Sequence, residues 1–311
     1  MADVNYFFFL SLIIIALGYA IKRLNIITEE NGKIVAKVIF NVTLPAVILN
    51  VMSTIEFSLP LILLPLTNVI FGLGMFAIGL ILFKNRPRKI KGLVLMTLIG
   101  FNVAHFSFPL VEGIWGASGM QYIAFVDLGN AFTIFVVCYL VGSVFSSNIN
   151  ADQITIEVKQ IAKRLLKSAP LLSYILALVL NFSGIILPLF FTDLISILAR
   201  ANTALSLLLL GIYLNFKFEK AEWNIILKVL FVRYSLGLCI GISLFFFLPF
   251  EQFNHLFRII LAISLILPVG LAVIPFSVEF EFDQKLTSII VNLTIVISFI
   301  LIWILILFLN G

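Results

Sequence analysis

The sequence predicts an all-α polytopic membrane protein of ten transmembrane helices, arranged as two inverted five-helix repeats. Three observations carry that expectation. Of 311 residues, 62% are apolar and 11% charged, with a mean hydropathy of +1.20. Soluble domains hold about 45–50% apolar and about 25% charged residues, so a water-soluble globular fold is excluded. Apolar runs of roughly 20 residues, the length that crosses a ~30 Å hydrocarbon core as a helix, recur along the whole chain. Finally, Lys and Arg concentrate on alternate loops between those runs.

The runs lie at 5–21, 34–52, 60–83, 92–112, 119–145, 170–188, 190–215, 223–248, 257–277 and 286–309. The first is preceded by Asp3 and followed by Lys22-Arg23, the polarity of a retained span with an outward N-terminus rather than a cleaved signal peptide. With that start, the inner loops collect the clusters Lys22 to Lys37, Lys84 to Lys91, Lys159 to Lys167, Lys217 with Lys220, and Lys285. They hold sixteen of the twenty Lys and Arg residues. Arg258 is the only basic residue left to the outer loops, while Arg200, Lys228 and Arg233 fall inside spans. One miscounted span would invert every later loop, so the asymmetry supports ten spans in a cytoplasmic membrane with both termini on the outer side.

Three segments follow: a first repeat over 1–145, a linker over 146–169 and a second repeat over 170–311. The linker carries "ADQITIEVKQIAKRLLKS", a basic amphipathic stretch suited to anionic headgroups. An odd number of spans in each half forces the halves into opposite orientations, the plan of many secondary transporters. Sequence echoes agree. "FNVTLPAVILN" from Phe40 parallels "RANTALSLLLL" from Arg200, placing Asn41 and Asn202 each just before a threonine. "HFSFPLVE" from His105 parallels "LAVIPFSVE" from Leu271. Proline removes a backbone donor and clashes with the preceding turn, so Pro109 and Pro275 are expected to break spans 4 and 9 at corresponding places. Matched interruptions point to a transport site at the midplane. Pro45, taken alone, reads as an ordinary helix kink.

Ionisable groups inside hydrocarbon are costly and mark candidate sites. Asp127 and Asn130 share a face of span 5 and are suited to coordinate a cation, carry a proton or hydrogen-bond the broken segment beside them. Arg200 is suited to attract an anion or to pair with Asp127 or Glu112. His105 reads either as a proton shuttle or as a neutral, hydrogen-bonded core histidine. Asn102 and Ser107 add neutral polar groups near Pro109. A broken helix exposes N–H groups with partial positive charge, a field that an organic carboxylate matches. His105 and His255 lie apart without a cysteine cluster, so no metal site is expected. Cys138 and Cys239 read as small buried hydrophobes. No phosphate loop or catalytic constellation is present, so an enzyme is not expected.

These residues resemble the auxin efflux carrier family, which includes plant auxin exporters and bacterial permeases for malate, malonate and related acids. The resemblance runs over nearly the whole chain. It rests on Leu44-Pro45-Ala46, on Asn102 and Pro109 followed by Gly116 and "DLGN" from Asp127, on Leu210-Gly211, and most specifically on "LPVGLAVIPFSVEFEFD", with Leu267-Pro268, Pro275-Phe276 and Glu281-Phe282. Ser107 stands where many relatives have Gly, Glu279 where the plant exporters have Ala, and their long cytoplasmic loop is missing.

The resemblance implies the fold of bile acid symporters and sodium/proton antiporters. It implies a scaffold of spans 1, 2, 6 and 7, and a transport domain of spans 3 to 5 and 8 to 10 with crossed broken helices 4 and 9. It further implies elevator-type movement and a homodimer. The expected function is secondary transport of a small organic anion such as malate, malonate or an auxin-like acid. Asn102, His105, Ser107, Pro109, Pro268 and Pro275 would form the crossover site, Asp127 and Asn130 would support it or couple a cation, and Asn41, Pro45, Arg200 and Asn202 would face it from the scaffold. No cofactor is expected beyond a proton or sodium as coupling ion, and no partner beyond substrate, lipid and a second copy; nucleic acid is excluded. Two alternatives stand beside this: a sodium/proton antiporter working through Asp127, and a non-transporting receptor with the carrier fold.

Overall fold

The computed structural model describes residues 2–146, 163, 165–215 and 222–310. The linker's amphipathic stretch and the Lys217–Lys220 loop lie largely or wholly outside them. Among the described residues every regular element is helical. In order they are α1 (Ala2–Arg23), α2 (Glu29–Val38), a π turn (Ile39–Thr43), α3 (Leu44–Met52), a 3₁₀ turn (Leu59–Ile62), α4 (Leu63–Leu82), α5 (Arg88–Ile99), a π turn (Val103–Ser107), α6 (Phe108–Phe132), a π turn (Thr133–Cys138), α7 (Tyr139–Phe145), α8 (Ala169–Phe182), α9 (Leu189–Tyr213), α10 (Trp223–Phe247), α11 (His255–Ser264), α12 (Val273–Glu279) and α13 (Gln284–Asn310).

Among the described residues seven helical stretches are long and apolar enough to cross a membrane: Val4–Arg23, Glu29–Met52, Leu59–Leu82, Val103–Phe145, Leu189–Tyr213, Trp223–Phe247 and Gln284–Leu309. Val103–Phe145 is 43 residues long, about twice a span, and turns at Gly116, whose φ of 56° and ψ of −143° suit glycine. Two shorter apolar helices, Ala169–Phe182 and His255–Ser264, complete the set.

Local chemistry explains several boundaries. Thr28 caps α2 by accepting from Asn31 N–H, and Glu29 and Glu30 follow in its first turn. Asn254 caps α11 through Phe257 N–H at 2.8 Å. Two π turns precede prolines in the same register. Ile39–Thr43 ends two residues before Pro45, and Val103–Ser107 ends two residues before Pro109. A proline ring collides with the carbonyl four residues back and offers no N–H, so the ladder widens by one residue ahead of it. At the end of the second turn the Ser107 hydroxyl donates to the carbonyl four residues earlier.

Close backbone contacts define two packed groups. α1 crosses α9 where Gly18 meets the Leu208 carbonyl and Gly211 meets the Ile15 carbonyl, and a Cβ at either glycine would collide with the facing oxygen. Small residues permit such an approach in lipid. α3 packs against α8 and α9, and Thr43 donates to Asn202 Oδ1 at 3.0 Å. The second group holds α4 against α6, where a Cβ on Gly129 would sit 2.5 Å from the Pro65 carbonyl oxygen. It also holds α10 against α11, at Gly237 with Leu265 and Gly241 with Ala262.

The structure corrects several expectations. The chain unwinds at Gly100–Asn102 and between Ser264 and Val273, not at Pro109 and Pro275. Pro275 is the third residue of α12, where a missing N–H costs little, whereas Pro109 lies seven residues past Asn102, directly after the π turn Val103–Ser107. Arg258 is not a loop charge. It is 1% exposed, donates from Nη1 to the Phe245 carbonyl at 3.1 Å and stacks on the Phe250 ring at 3.4 Å, so it neutralises the C-terminal end of α10. Cys138 is buried as expected, whereas Cys239 is exposed on the outer face of α10.

Candidate functional site: the crossing of two unwound segments

The segments 100–102 and 268–270 run antiparallel and bridge at Phe101 and Val269. Asn102 N–H donates to the Pro268 carbonyl at 2.9 Å and Gly270 N–H to the Gly100 carbonyl at 3.4 Å. Those flanking bonds use the groups that face each other, so the N–H and C=O of Phe101 point away from the partner segment. Buried backbone groups need partners, and neighbouring helices supply them. Asn130 on α6 accepts from Phe101 N–H at 3.1 Å and donates to Phe101 C=O at 3.0 Å. On the other side, Thr294 on α13 accepts from Val269 N–H at 3.1 Å, and Ser298, one turn later, donates to the Ile266 carbonyl at 2.7 Å. Gly270 is required here, since a Cβ would lie 2.6 Å from Ile134 Cδ1 and 3.0 Å from the Phe101 carbonyl oxygen.

At the centre is a residue that in sequence is one of three basic residues inside spans. Arg233 of α10 is fully buried, and its guanidinium donates to the carbonyls of Thr97, Leu98, Gly100, Leu267 and Pro268 at 2.8–3.3 Å. It lies 4.3 Å from the centroid of the Phe101 ring. Thr97 and Leu98 lie in the last turn of α5 and Gly100, Leu267 and Pro268 in the segments that follow α5 and α11, where Gly100 and Pro268 also accept the two bonds across the crossing, so one cation faces carbonyls at the ends of both half-helices. The signal was present in the sequence, because an arginine in mid-span is a site candidate by default.

The other expected residues divide. Asn102 is 3% exposed, stands at the head of the helical stretch beginning at Val103 without capping it, and has no partner for Nδ2 among the described residues. Ser107 spends its hydroxyl on Val103 C=O at 2.7 Å. His105 is half-buried in the same turn. Pro109 and Pro268 are buried, and Pro275 is exposed. On the facing helix α9, Asn202 Nδ2 and, one turn on, Ser206 Oγ are buried without a partner among the described residues; α9 packs directly on the 103–107 turn. Pro45 lies half-buried behind its π turn. Asn41 is exposed and donates to Lys37 C=O of its own helix. Arg200 is exposed, donates to the Ser196 carbonyl of its own helix, and makes no hydrogen bond to Asp127 or Glu112. Glu112 instead accepts from Thr203.

Asp127 is 7% exposed and both its oxygens are engaged: Oδ2 accepts from Tyr174 of α8 at 3.0 Å, and Oδ1 faces Asn130 Nδ2 at 3.5 Å. The Asp127–Tyr174 bond joins the two packed groups. A bond to a buried carboxylate contributes about 1.5–3 kcal/mol, so Tyr174→Phe is expected to lower the melting temperature by about 4–8 °C. In an Asp127→Asn background the same change should cost less than half as much, since a neutral amide tolerates losing a donor better. Equal losses in both backgrounds would show that the bond contributes nothing.

Sequence comparisons relate the chain to membrane transporters. A profile described as a membrane transport protein matches residues 8–306. An uncharacterized transporter of Methanocaldococcus jannaschii is 26% identical over 306 residues, covering 94% of this chain and 95% of that protein. A second uncharacterized transporter, from Methanothermobacter thermautotrophicus, is 22% identical over 294 residues, 93% of each chain. With several helices able to span a bilayer and a family match from residue 8 to residue 306, this multi-pass membrane protein is a transporter rather than an enzyme and belongs to the membrane transport protein family, the auxin efflux carrier family.

Proposed function

We propose that the protein is a secondary transporter of a small organic anion, bound beside the crossing of the two unwound segments. The observation that carries this is Asn102: a buried amide with a free Nδ2, at the positive end of the helical stretch from Val103, next to a crossing whose carbonyls are neutralised by Arg233. With the carbonyl ends answered, the remaining field is positive and favours a carboxylate. Asn202 Nδ2 and Ser206 Oγ, unpartnered on the facing helix, supply further groups suited to polar substrate atoms.

Ten spans follow if Val103–Phe145 counts as the second half of span 4 plus span 5, α5 as the first half of span 4, α8 as span 6, and α11 with α12 as a broken span 9. The basic clusters then face the cytoplasm and both termini the outside of the cytoplasmic membrane. The two packed groups correspond to a scaffold of α1, α2, α3, α8 and α9 and a moving domain of the remainder, joined by few polar contacts. That division suits an elevator displacement, with a homodimer anchoring the scaffold. Asp127, with both oxygens engaged by protein donors, is better suited to bracing the site than to exchanging cations.

A thermal-shift screen of purified protein against small mono- and dicarboxylates and indole acids, followed by proteoliposome flux of each hit, tests the reading. A saturable flux is expected, and Asn102→Ala should reduce it about tenfold or more, the equivalent of about 1.4 kcal/mol, while leaving the unliganded melting temperature nearly unchanged. No saturable flux of any carboxylate would overturn it.

A further inference from the structure

The environment of Arg233 is that of a chelated cation. Its guanidinium is held by carbonyl oxygens of Thr97, Leu98, Gly100, Leu267 and Pro268, contributed by two segments that meet only at the crossing. No carboxylate stands against it: among the described residues the single ion pair is Lys89–Glu281, on the surface. Burying an arginine without a counter-ion costs several kcal/mol, and only the converging carbonyl dipoles offset that here. Take the guanidinium away and the same oxygens converge on a space that calls for a positive charge, the donor chemistry that coordinates a hard monovalent or organic cation.

We propose that Arg233 is a built-in cation, tethered in a carbonyl cage that would otherwise require a soluble one, so that the crossing assembles without bound Na⁺ or K⁺. The cage is permanently filled, and the site carries its positive charge at every stage of a transport cycle. This rests on the geometry of the crossing and not on the organic-anion reading, so the two fail separately: the present test reads stability, the earlier one flux.

The experiment uses the full-length protein in lipid nanodiscs and compares thermal melts in choline, sodium and potassium chloride at constant ionic strength. Wild-type protein is expected to melt within about 1 °C in all three. Selective stabilisation by Na⁺ or K⁺ of about 3 °C or more would overturn the proposal, because a filled cage has no room for a second cation. Arg233→Ala should melt well below wild type and recover by about 3 °C or more in about 20 mM guanidinium chloride, far below denaturing concentrations. No recovery would show that the side chain acts by bulk alone. Arg233→Lys and Arg233→Met, similar in length but not in charge, supply a comparison that survives if the alanine variant does not fold. The lysine variant is expected to be the more stable, and a methionine variant equal to or above it would overturn the proposal.

Discussion

Asn130→Ala is expected to abolish transport and to lower the melting temperature by about 6–10 °C. The side chain is 4% exposed, and its amide pairs with both the N–H and the C=O of Phe101. Phe101 sits where the chain has left one helix and not yet entered the next, so no intrahelical partner exists for either group. Leaving two buried backbone groups unpaired costs about 1–3 kcal/mol each, and no alanine atom can replace the amide. Asn130→Asp should fare no better. It keeps an acceptor for Phe101 N–H but loses the donor to Phe101 C=O, and it places a second carboxylate beside Asp127, whose Oδ1 is 3.5 Å from Asn130 Nδ2. Melting curves and flux measured on the same preparations check both variants. A folded, transporting Asn130→Ala protein would show that the crossing is held elsewhere.

Gly211→Leu is expected to prevent accumulation of folded, monodisperse protein, a loss of at least about 3 kcal/mol. The Cβ alone would collide with the Ile15 carbonyl oxygen and lie 2.8 Å from Tyr19 N. Overpacking is usually relieved by a side-chain rotamer, but here the obstructing atoms are the backbone of a neighbouring helix. α1 would have to leave α9. Gly18 forms the other half of the same contact against Leu208, so relief by sliding one helix along the other is blocked as well. Gly74→Leu is the control: nothing lies within 4 Å of a Cβ there, and size-exclusion profile and melting temperature should match wild type. Equal yields for both variants would mean that the α1–α9 contact does not hold the framework together.

How much of this was legible in the sequence differs from residue to residue. The apolar runs showed where helices form, because span length is dictated by bilayer thickness. The matched prolines pointed to two interrupted segments, but they lie inside the helices that follow, Pro275 in the first turn and Pro109 just past a π turn, rather than at the breaks themselves. A proline is tolerated where an N–H would lack a partner anyway, so it tells where a half-helix starts and says little about where the previous one ended. In sequence Asn130 admits three roles, and the structure shows it hydrogen-bonding the broken segment. Arg200 drew attention as a charge at depth, yet it is exposed and turned onto its own helix. Arg233, similarly placed in a span, is the cation at the crossing. Nothing along the chain distinguishes them, since the carbonyls that hold Arg233 lie 34 to 136 residues away.

The sequence by itself determined that this chain lives in lipid, that it is helical, that its helices break twice and that it resembles a family of carriers. Composition and periodicity suffice for those properties because each depends on single segments meeting the bilayer. The resemblance implied that the two breaks cross; only the tertiary structure decided which residues meet there, that Asn130, Thr294 and Ser298 brace them, and that one arginine answers carbonyls from both segments. Those facts depend on which unsatisfied backbone groups meet which side chains once helices far apart in sequence have packed, and a buried polar group finds its partner in space rather than along the chain.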